Sequence, residues 1–442
     1  MKIPFYRLQS PEEAGDFCVR LAGRAEPGTE EGISVEKKVA DILRDVRDGG
    51  FERLLAYTRA YDCPKFRARS FAVSVRAMER AARSIPAGDK EIILRAIGNV
   101  RAFHLTQKEE SRFITRADGS ILGQMVRPVR RAGLYVPGGK GGETPLISSL
   151  IMCAVPALVA GVPEIVVISP PRADGTLNPY LLAAAGMLGI REAYAAGGAW
   201  AIGALAYGAG PLKPVDVIAG PGNIYVTTAK RLLIGRVGID MLAGPSEICI
   251  VADACADPAW VAADMLSQAE HDALASAVVI GTDEKFCAAV AIELERQCAR
   301  LPRRETAEQA LAAYGAIFCV PDADTAISLA NRFAPEHLEL AIEDAWSHLP
   351  KVRNAGAVFV GRQAAEAFGD YYAGPNHVLP TMGTARFSSA LSVSTFCTKS
   401  SIIAVSRDFV AENAHSVARL ARLEGLEAHA RSALCRLSET GE

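Results

Sequence analysis

The sequence predicts an α/β protein built on mostly parallel sheets. Three observations point there. Short apolar runs of β type recur every ~20–30 residues with helical segments between them, the signature of strand–helix–strand units. Half of the residues are hydrophobic but only 7% are aromatic, and Gly numbers 38, a composition suited to close packing of helices on sheets. The flanks of this region instead carry helical periodicity. A length of 442 residues is enough for two to four domains at roughly 100–200 residues each, with cores that need no disulfide or metal staple.

Along the chain, Val39, Ile42, Leu43 and Val46 repeat at helical spacing, with Ser34 as N-cap and Gly49-Gly50 as stop, and the helical pattern is expected to run to about residue 130. From Gly133 the strand candidates follow: 133–136, 165–168, 193–195, 215–218, 248–251, 277–280, 316–319 and 357–360. The Gly/Pro-rich break at 242–245 is a candidate boundary, and 408–442 returns to helix through Val417, Leu420, Ala421 and Leu423. Asp257 followed by Pro258 predicts a helix start, which sets Gln268 and His271 on one face of its last turn.

Charge excludes some functions. Lys plus Arg number 48 and Asp plus Glu 50, so no basic excess marks a nucleic-acid partner. The N-terminus lacks the apolar core of a signal peptide, and the longest apolar stretch, 150–163, falls short of the ~20 residues that span a bilayer. A cytoplasmic protein without a membrane partner is expected. The ten cysteines form no CxxC pair, and most sit in apolar runs, as buried reduced thiols do.

Of the seven histidines, His104, His348 and His415 sit in charged or helical surface contexts that suit structural roles. The others keep company that suits chemistry. Gln268 and His271 could share a cation or a substrate, although a helix-end pair of this kind is commonly capping. Glu336-His337 sets a carboxylate beside an imidazole, the ingredients of general acid–base work, but the dipeptide is common by chance. Asp370 and His377 fall in a turn-rich run, 369–377, that reads as a binding loop or an Asx turn. Two Gly-rich loops, 136–142 and 219–223, follow strands and let backbone approach a ligand, yet neither matches GxGxxG or a P-loop.

Taken together, these segments resemble the histidinol dehydrogenase family. The motifs run in the family's order: Gly133-Leu134-Tyr135-Val136-Pro137-Gly138-Gly139, Gly220-Pro221-Gly222-Asn223, Asp240 to Glu247, Leu266 to Asp272, Ala334 to Leu338, Gly374 to Thr381 and Glu424 to His429. The resemblance implies two Rossmann-like parallel-sheet domains, an incomplete duplication, with helical N-terminal and small C-terminal segments. It implies an N-terminal helical arm over 1–30, a main α/β domain from 31–130 and 245–385 carrying the catalytic residues, an NAD-binding domain over 131–244, and a C-terminal dimerisation and active-site segment over 386–442. The implied reaction is the four-electron oxidation of L-histidinol to L-histidine through the aldehyde, with NAD and one zinc ion per subunit, in histidine biosynthesis.

Carried over by motif position, Gln268, His271, Asp370 and His429 look like zinc ligands, and two imidazoles with a carboxylate are a common catalytic zinc set. Glu336 and His337 look like the catalytic pair, His337 as base and Glu336 activating water. Ser246, His337, His377 and Glu424, with the four metal ligands, match substrate contacts; Tyr135 and Asn223 match cofactor contacts. Glu424 and His429 would point ~140° apart on one regular helix, so a break at Gly425 is expected if both serve one site. The family's C-terminal segment reaches the partner subunit's site, which implies a homodimer with shared active sites. Trp200 stands where the family usually has a cofactor-contacting Gln, and an indole donates but does not accept a hydrogen bond. The loop 140–144 is longer than in many members. The runner-up is a paralogous zinc- and NAD-dependent dehydrogenase of another small polar alcohol, such as a sulfonated diol; a zinc hydrolase using Glu336 without NAD and a non-catalytic metal-binding dimer are further alternatives.

Overall fold

The structure, a computed structural model, describes residues 3–25 and 30–437. The chain divides into two compact units, Met1–Gln107 with Arg130–Phe396, and Lys108–Val129 with Cys397–Glu442.

The first unit holds two six-stranded sheets. One runs in the order Ala72–Val73, Glu192–Ala195, Glu164–Ser169, Arg131–Tyr135, Val217–Ala219, Gly238–Ile239, and only its first pair is antiparallel. The other runs Phe5–Arg7, Ala316–Cys319, Ser276–Gly281, Glu247–Ala252, His337–Ala341, Ala357–Val360, all parallel. Both follow the same path. The chain enters at a central strand, steps outward twice on one side, then crosses back to add two strands on the other. A short strand from further upstream extends the first side. That repeated path is the duplication the sequence pattern alone did not show.

Parallel strands are covered on both faces, so their sequences read as continuous apolar runs. Strand Glu247–Ala252 is buried throughout, with Ile248, Ile250 and Ala252 in the core on one face and Cys249 and Val251 in the core on the other. None of the ten cysteines, all among the described residues, forms a disulfide; five are buried, while Cys255 and Cys435 are exposed. Among the described residues no helix is long and apolar enough to cross a membrane.

Several expectations need correction. Helix Glu30–Tyr57 encloses Ser34 and continues through Gly49-Gly50 with a kink at Gly50 (φ 52°) instead of stopping there. It resumes because Leu54 and Leu55 are drawn into the same core as Val39, Val46, Ile202 and Leu205. This core and the pairing of Ala72 with Tyr194 join the 31–107 segment to the sheet of 131–239, while helix Ala87–Leu105 also meets the 369–376 loop, where Asn99 donates to Tyr372 O at 2.9 Å. The N-terminal arm is not wholly helical: Phe5–Arg7 is an edge strand ahead of helix Gly15–Ala22, and residues 26–29 lie outside the described residues. The expected helix up to residue 130 ends at Leu105.

Beyond it, the second unit contains the antiparallel strands Arg112–Thr115, Ile121–Pro128 and Cys397–Ala404. The turn between the first two holds Asp118, whose carboxylate accepts from Ser120 N–H at 2.8 Å, and Gly119 at φ 79°. Asp-Gly between two β-prone runs is a hairpin signal that the periodicity argument passed over. Helices Arg407–Leu423 and Glu427–Leu434 complete this unit, and the break between them falls at Gly425 (φ 76°), as expected. The C-terminal unit begins at Cys397; residues 386–396 belong to the first unit.

Candidate active site

Strand His337–Ala341, unrecognised among the strand candidates, begins at the imidazole singled out from sequence. The helix Ala323–Phe333 ends on Ala334 in a left-handed conformation (φ 48°), and Pro335 stops it from continuing. The register pairs Ile248 with His337, which sets Glu247 opposite Glu336. The two glutamates bind each other's main chain: Glu247 N–H donates to Glu336 Oε2 at 2.9 Å, and Glu336 N–H donates to Glu247 Oε2 at 3.2 Å. His337 Nδ1 lies 2.9 Å from the Glu247 carbonyl oxygen. A carbonyl only accepts, so Nδ1 carries the proton and Nε2 is left as the basic nitrogen.

That Nε2 is buried without a hydrogen-bond partner, and so is Oδ1 of Asp370, 3.5 Å away. Asp370 sits in the helical turn Gly369–Ala373 following Glu366–Phe368. The ligand atoms of His337, Glu366 and Asp370 all lie within 4.8 Å of one another. Glu366 is held from both sides: its N–H donates to Glu339 Oε1 at 2.8 Å, and its Oε2 accepts from the Ser267 hydroxyl at 2.8 Å. The Gln268 amide satisfies its neighbours when its nitrogen donates to Glu366 Oε1 at 3.1 Å and its oxygen accepts from Glu247 N–H at 3.3 Å. Helix Pro258–Ala269 starts where predicted, with Asp257 accepting from Ala259 N–H, but His271 lies just past its end and exposed. His377 is half-buried, and its Nδ1 donates to the Asp370 carbonyl at 2.7 Å.

Burial first, and then the density of carboxyls, shifts these titratable groups. Burial pushes Glu336 up to about 8, against the opposing influence of His337. Burial disfavours charge on His337, but Glu336, Asp370 and Glu366 outweigh it and lift the ring to about 10. Glu366 rises to about 7, through burial first and Asp370 next. Behind it, Asp264 rises to about 6 by burial, and Glu339 is raised by burial and by Asp264. Burial would raise Asp370 too, but its interaction with His337 holds it below the usual range. His377, half-buried, is pushed down by desolvation first. So many buried acids around two orphaned atoms make a pocket that suits a cation.

The expected ligands are thus only partly gathered. Asp370 belongs to the tight trio, Gln268 abuts Glu366, and Ser246 directly precedes Glu247. Glu424 and His429 belong to the second unit, both exposed, on either side of the break at Gly425. Glu247, Glu339 and Glu366 were missed. Glu339 carried a usable signal, since it lies two residues after His337 on a strand and so faces the same side. Glu366 carried a weaker one, four residues before Asp370. His104 also differs from expectation. It is fully buried, with Nδ1 donating to Val100 O at 2.8 Å, and the Asn376 amide lies 3.3 Å from its Nε2. Asn376 also donates to Met152 O at 2.7 Å, anchoring the loop that carries His377.

Tyr135 and Asn223 mark a second locus, at the C-terminal ends of the adjacent strands Arg131–Tyr135 and Val217–Ala219, where the strand order of the first sheet reverses. Such a crevice is where open α/β sheets take ligands. The Tyr135 hydroxyl accepts from Gly198 N–H at 3.3 Å, and Asn223 Oδ1 caps helix Ile224–Leu232 at Tyr225 and Val226 N–H. The Gly220 loop is tied down by a buried ion pair: Lys230 contacts Asp240 and donates to Gly220 O at 3.0 Å, while Gly220 N–H donates to Asp240 at 2.7 Å. A Cβ on Gly220 would lie 2.0 Å from the Tyr135 carbonyl oxygen, so this glycine serves strand-to-loop packing. Trp200 is buried and stacked on Tyr57 and Tyr61 at 6.0 and 5.4 Å. Its indole N–H is oriented to favour charge on Asp62 but makes no well-formed hydrogen bond.

Known proteins resemble this chain over nearly its whole length. The family model for histidinol dehydrogenase matches residues 26–437. The histidinol dehydrogenase of Oleidesulfovibrio alaskensis is 60% identical over 418 residues, 95% of each chain. That of Nitratidesulfovibrio vulgaris is 60% identical over 419 residues, again 95% of each chain. The crystal structure of histidinol dehydrogenase from Elizabethkingia anophelis superposes with a TM-score of 0.91 at 34% identity, covering 100% of this chain and 99% of that one.

Proposed function

The chain belongs to the histidinol dehydrogenase family and is an oxidoreductase, and from this premise we propose that it oxidises L-histidinol to L-histidine through L-histidinaldehyde, reducing two NAD, in the cytoplasm. The observation that carries this reading is the pair of orphaned buried atoms, His337 Nε2 and Asp370 Oδ1, inside a cluster of acids. Unpaired buried polar atoms are costly, and a divalent cation with a bound amino alcohol would satisfy both.

The donor set fits zinc. Gln268, His271 and Asp370 would hold it, with His429 supplied by a second copy of the chain in a homodimer with shared sites; Glu424 of that copy would face the substrate. When bound, the ion supplies positive charge that anchors the imidazole and amine of histidinol, and NAD at the Tyr135–Asn223 crevice supplies the hydride acceptor. The remaining work belongs to this chain's own groups. His337, held by the Glu247 carbonyl, presents Nε2 to take the hydroxyl proton of the substrate once a bound cation cancels the carboxylate field that otherwise keeps the ring protonated. Glu336, raised to about 8 and held at one oxygen by Glu247 N–H, is poised to take a proton from the water that adds to the aldehyde. Ser246 and His377 would complete the substrate pocket. The sulfonated-diol alternative is not favoured: an acid-lined pocket repels an anionic substrate and suits a cationic amino alcohol.

The test is direct. Purified enzyme with zinc, NAD and L-histidinol should form two NADH per histidinol consumed, read at the reduced-nicotinamide band. One NADH per substrate, or none, would overturn the four-electron reading.

A further inference from the structure

We propose that Arg24 is a positioning residue for the Glu336–His337 pair, acting through the Glu247 carboxylate, so that the N-terminal segment is part of the reaction's machinery. This rests on the assignment of Glu336 and His337 to proton transfer.

Glu247 is the hub of the site. Its main chain fixes both catalytic side chains, accepting from His337 Nδ1 and donating to Glu336 Oε2. Its carboxylate takes a second set of bonds, from Glu336 N–H at 3.2 Å, from Met382 N–H at 3.1 Å and from the Arg24 guanidinium. All of these partners are N–H donors, so the carboxylate acts as acceptor to every one of them. Among the described residues, Arg24 is the one cation in contact with it. Its side chain is 0% exposed and reaches across 223 residues of sequence.

Arg24 is itself anchored, donating to Leu21 O at 3.1 Å and Leu274 O at 3.2 Å, with its guanidinium over the Tyr314 ring. It thereby clamps the end of helix Gly15–Ala22 to the start of the central strand Glu247–Ala252, beside the start of the catalytic strand. Met382, which the same carboxylate binds, has a left-handed backbone (φ 56°) that a non-glycine residue holds only under constraint. Without Arg24 the buried carboxylate loses its ion-pair partner and turns away. That change releases Glu336 N–H and loosens the strand start that aims His337 Nε2. A purely structural arginine would affect folding alone; a positioning one changes turnover in folded enzyme.

The experiment uses full-length enzyme with L-histidinol, zinc and NAD. R24A is expected to lower kcat about tenfold or more while KM for histidinol stays within about twofold. A cavity lined by Cys18, Leu21, Glu247 and Met382 adjoins the vacated position, so guanidinium chloride at non-denaturing concentration should restore kcat at least threefold over a sodium chloride control, with no gain in wild type. R24A with wild-type kcat, or a loss that guanidinium leaves untouched, overturns the proposal. If R24A does not fold, R24K decides: kcat lowered three- to tenfold with unchanged KM supports positioning, and unchanged kcat overturns it. H337N separates the two levels. If H337N still turns over, the underlying assignment has failed; if H337N is inactive while R24A matches wild type, only the role of Arg24 has.

Discussion

Replacing Asp370 by Asn should lower the pKa of His337 in the metal-free protein by about two units. The ring stands at about 10 because burial, which disfavours its charge, is overcome by Glu336, Asp370 and Glu366. The Asp370 charge lies 3.5 Å from Nε2. At an effective dielectric of about 20, two unit charges at that distance interact by roughly 5 kcal/mol, an upper figure equivalent to a pKa change of about 3.5 at 1.36 kcal/mol per unit. The amide keeps a dipole in place and the pocket relaxes, so about two units is expected, bringing the ring to about 8. The assay is a pH titration of the imidazole proton resonances, with H337N identifying the signal. Zinc added to wild type should act in the same direction, because a nearby cation cancels the field of the carboxylates. The linkage has a definite sign. His337 has a folded pKa above its ordinary value of 6.5, so its stabilising contribution is complete below that value and is lost as pH rises through about 10. Glu336, raised from 4.5 to about 8, also costs stability as pH rises across that interval. Metal-free enzyme should therefore melt lower at pH 9 than at pH 6. A ring titrating near 6.5 in metal-free wild type, or one that D370N does not move, would refute the reasoning.

H337N should lower kcat by about 10²–10⁴-fold while zinc stays bound, because it removes the base but none of the expected metal ligands; near-normal turnover would exclude His337 as base. D62N should stabilise the fold at pH 8. Burial raises Asp62 from 3.8 to about 6, so stability is lost as pH rises across that window, and the amide removes this cost while still accepting from Gly197 N–H. A gain of about 1–2 kcal/mol is expected at pH 8 and none at pH 4, after discounting for partial exposure; equal effects at both pH values would contradict it. G220A places a Cβ 2.0 Å from Tyr135 O at a backbone φ of 122°, and should cost about 3 kcal/mol or more in urea unfolding; a loss under about 0.5 kcal/mol would show that the loop moves freely. Deleting the residues after about 410 removes His429 and should abolish stoichiometric zinc binding, measured by metal analysis after dialysis; retained zinc would sink the shared-site proposal.

Local sequence was enough for much of this. Continuous apolar runs announced the parallel strands, since a strand buried on both faces has no polar side to show. Asp257-Pro258 announced a helix start, Gly425 a helix break, and motif order brought out Glu336, His337 and Asp370. Elsewhere long-range packing overruled the local signal. Gly49-Gly50 reads as a stop, but burial of Leu54 and Leu55 carries the helix on. His104 reads as a surface residue, but Val100 O and Asn376 satisfy it inside the protein. Glu247, Glu366 and Arg24 look like ordinary charged residues in the sequence. They become a site only when strand register sets Glu247 opposite Glu336 and an arginine far upstream meets its carboxylate. Periodicity reports which face of an element is apolar, a property of neighbours in the chain. The electrostatics of a buried cluster depend on distances between residues that sequence separates by hundreds of positions, and only the folded chain sets those.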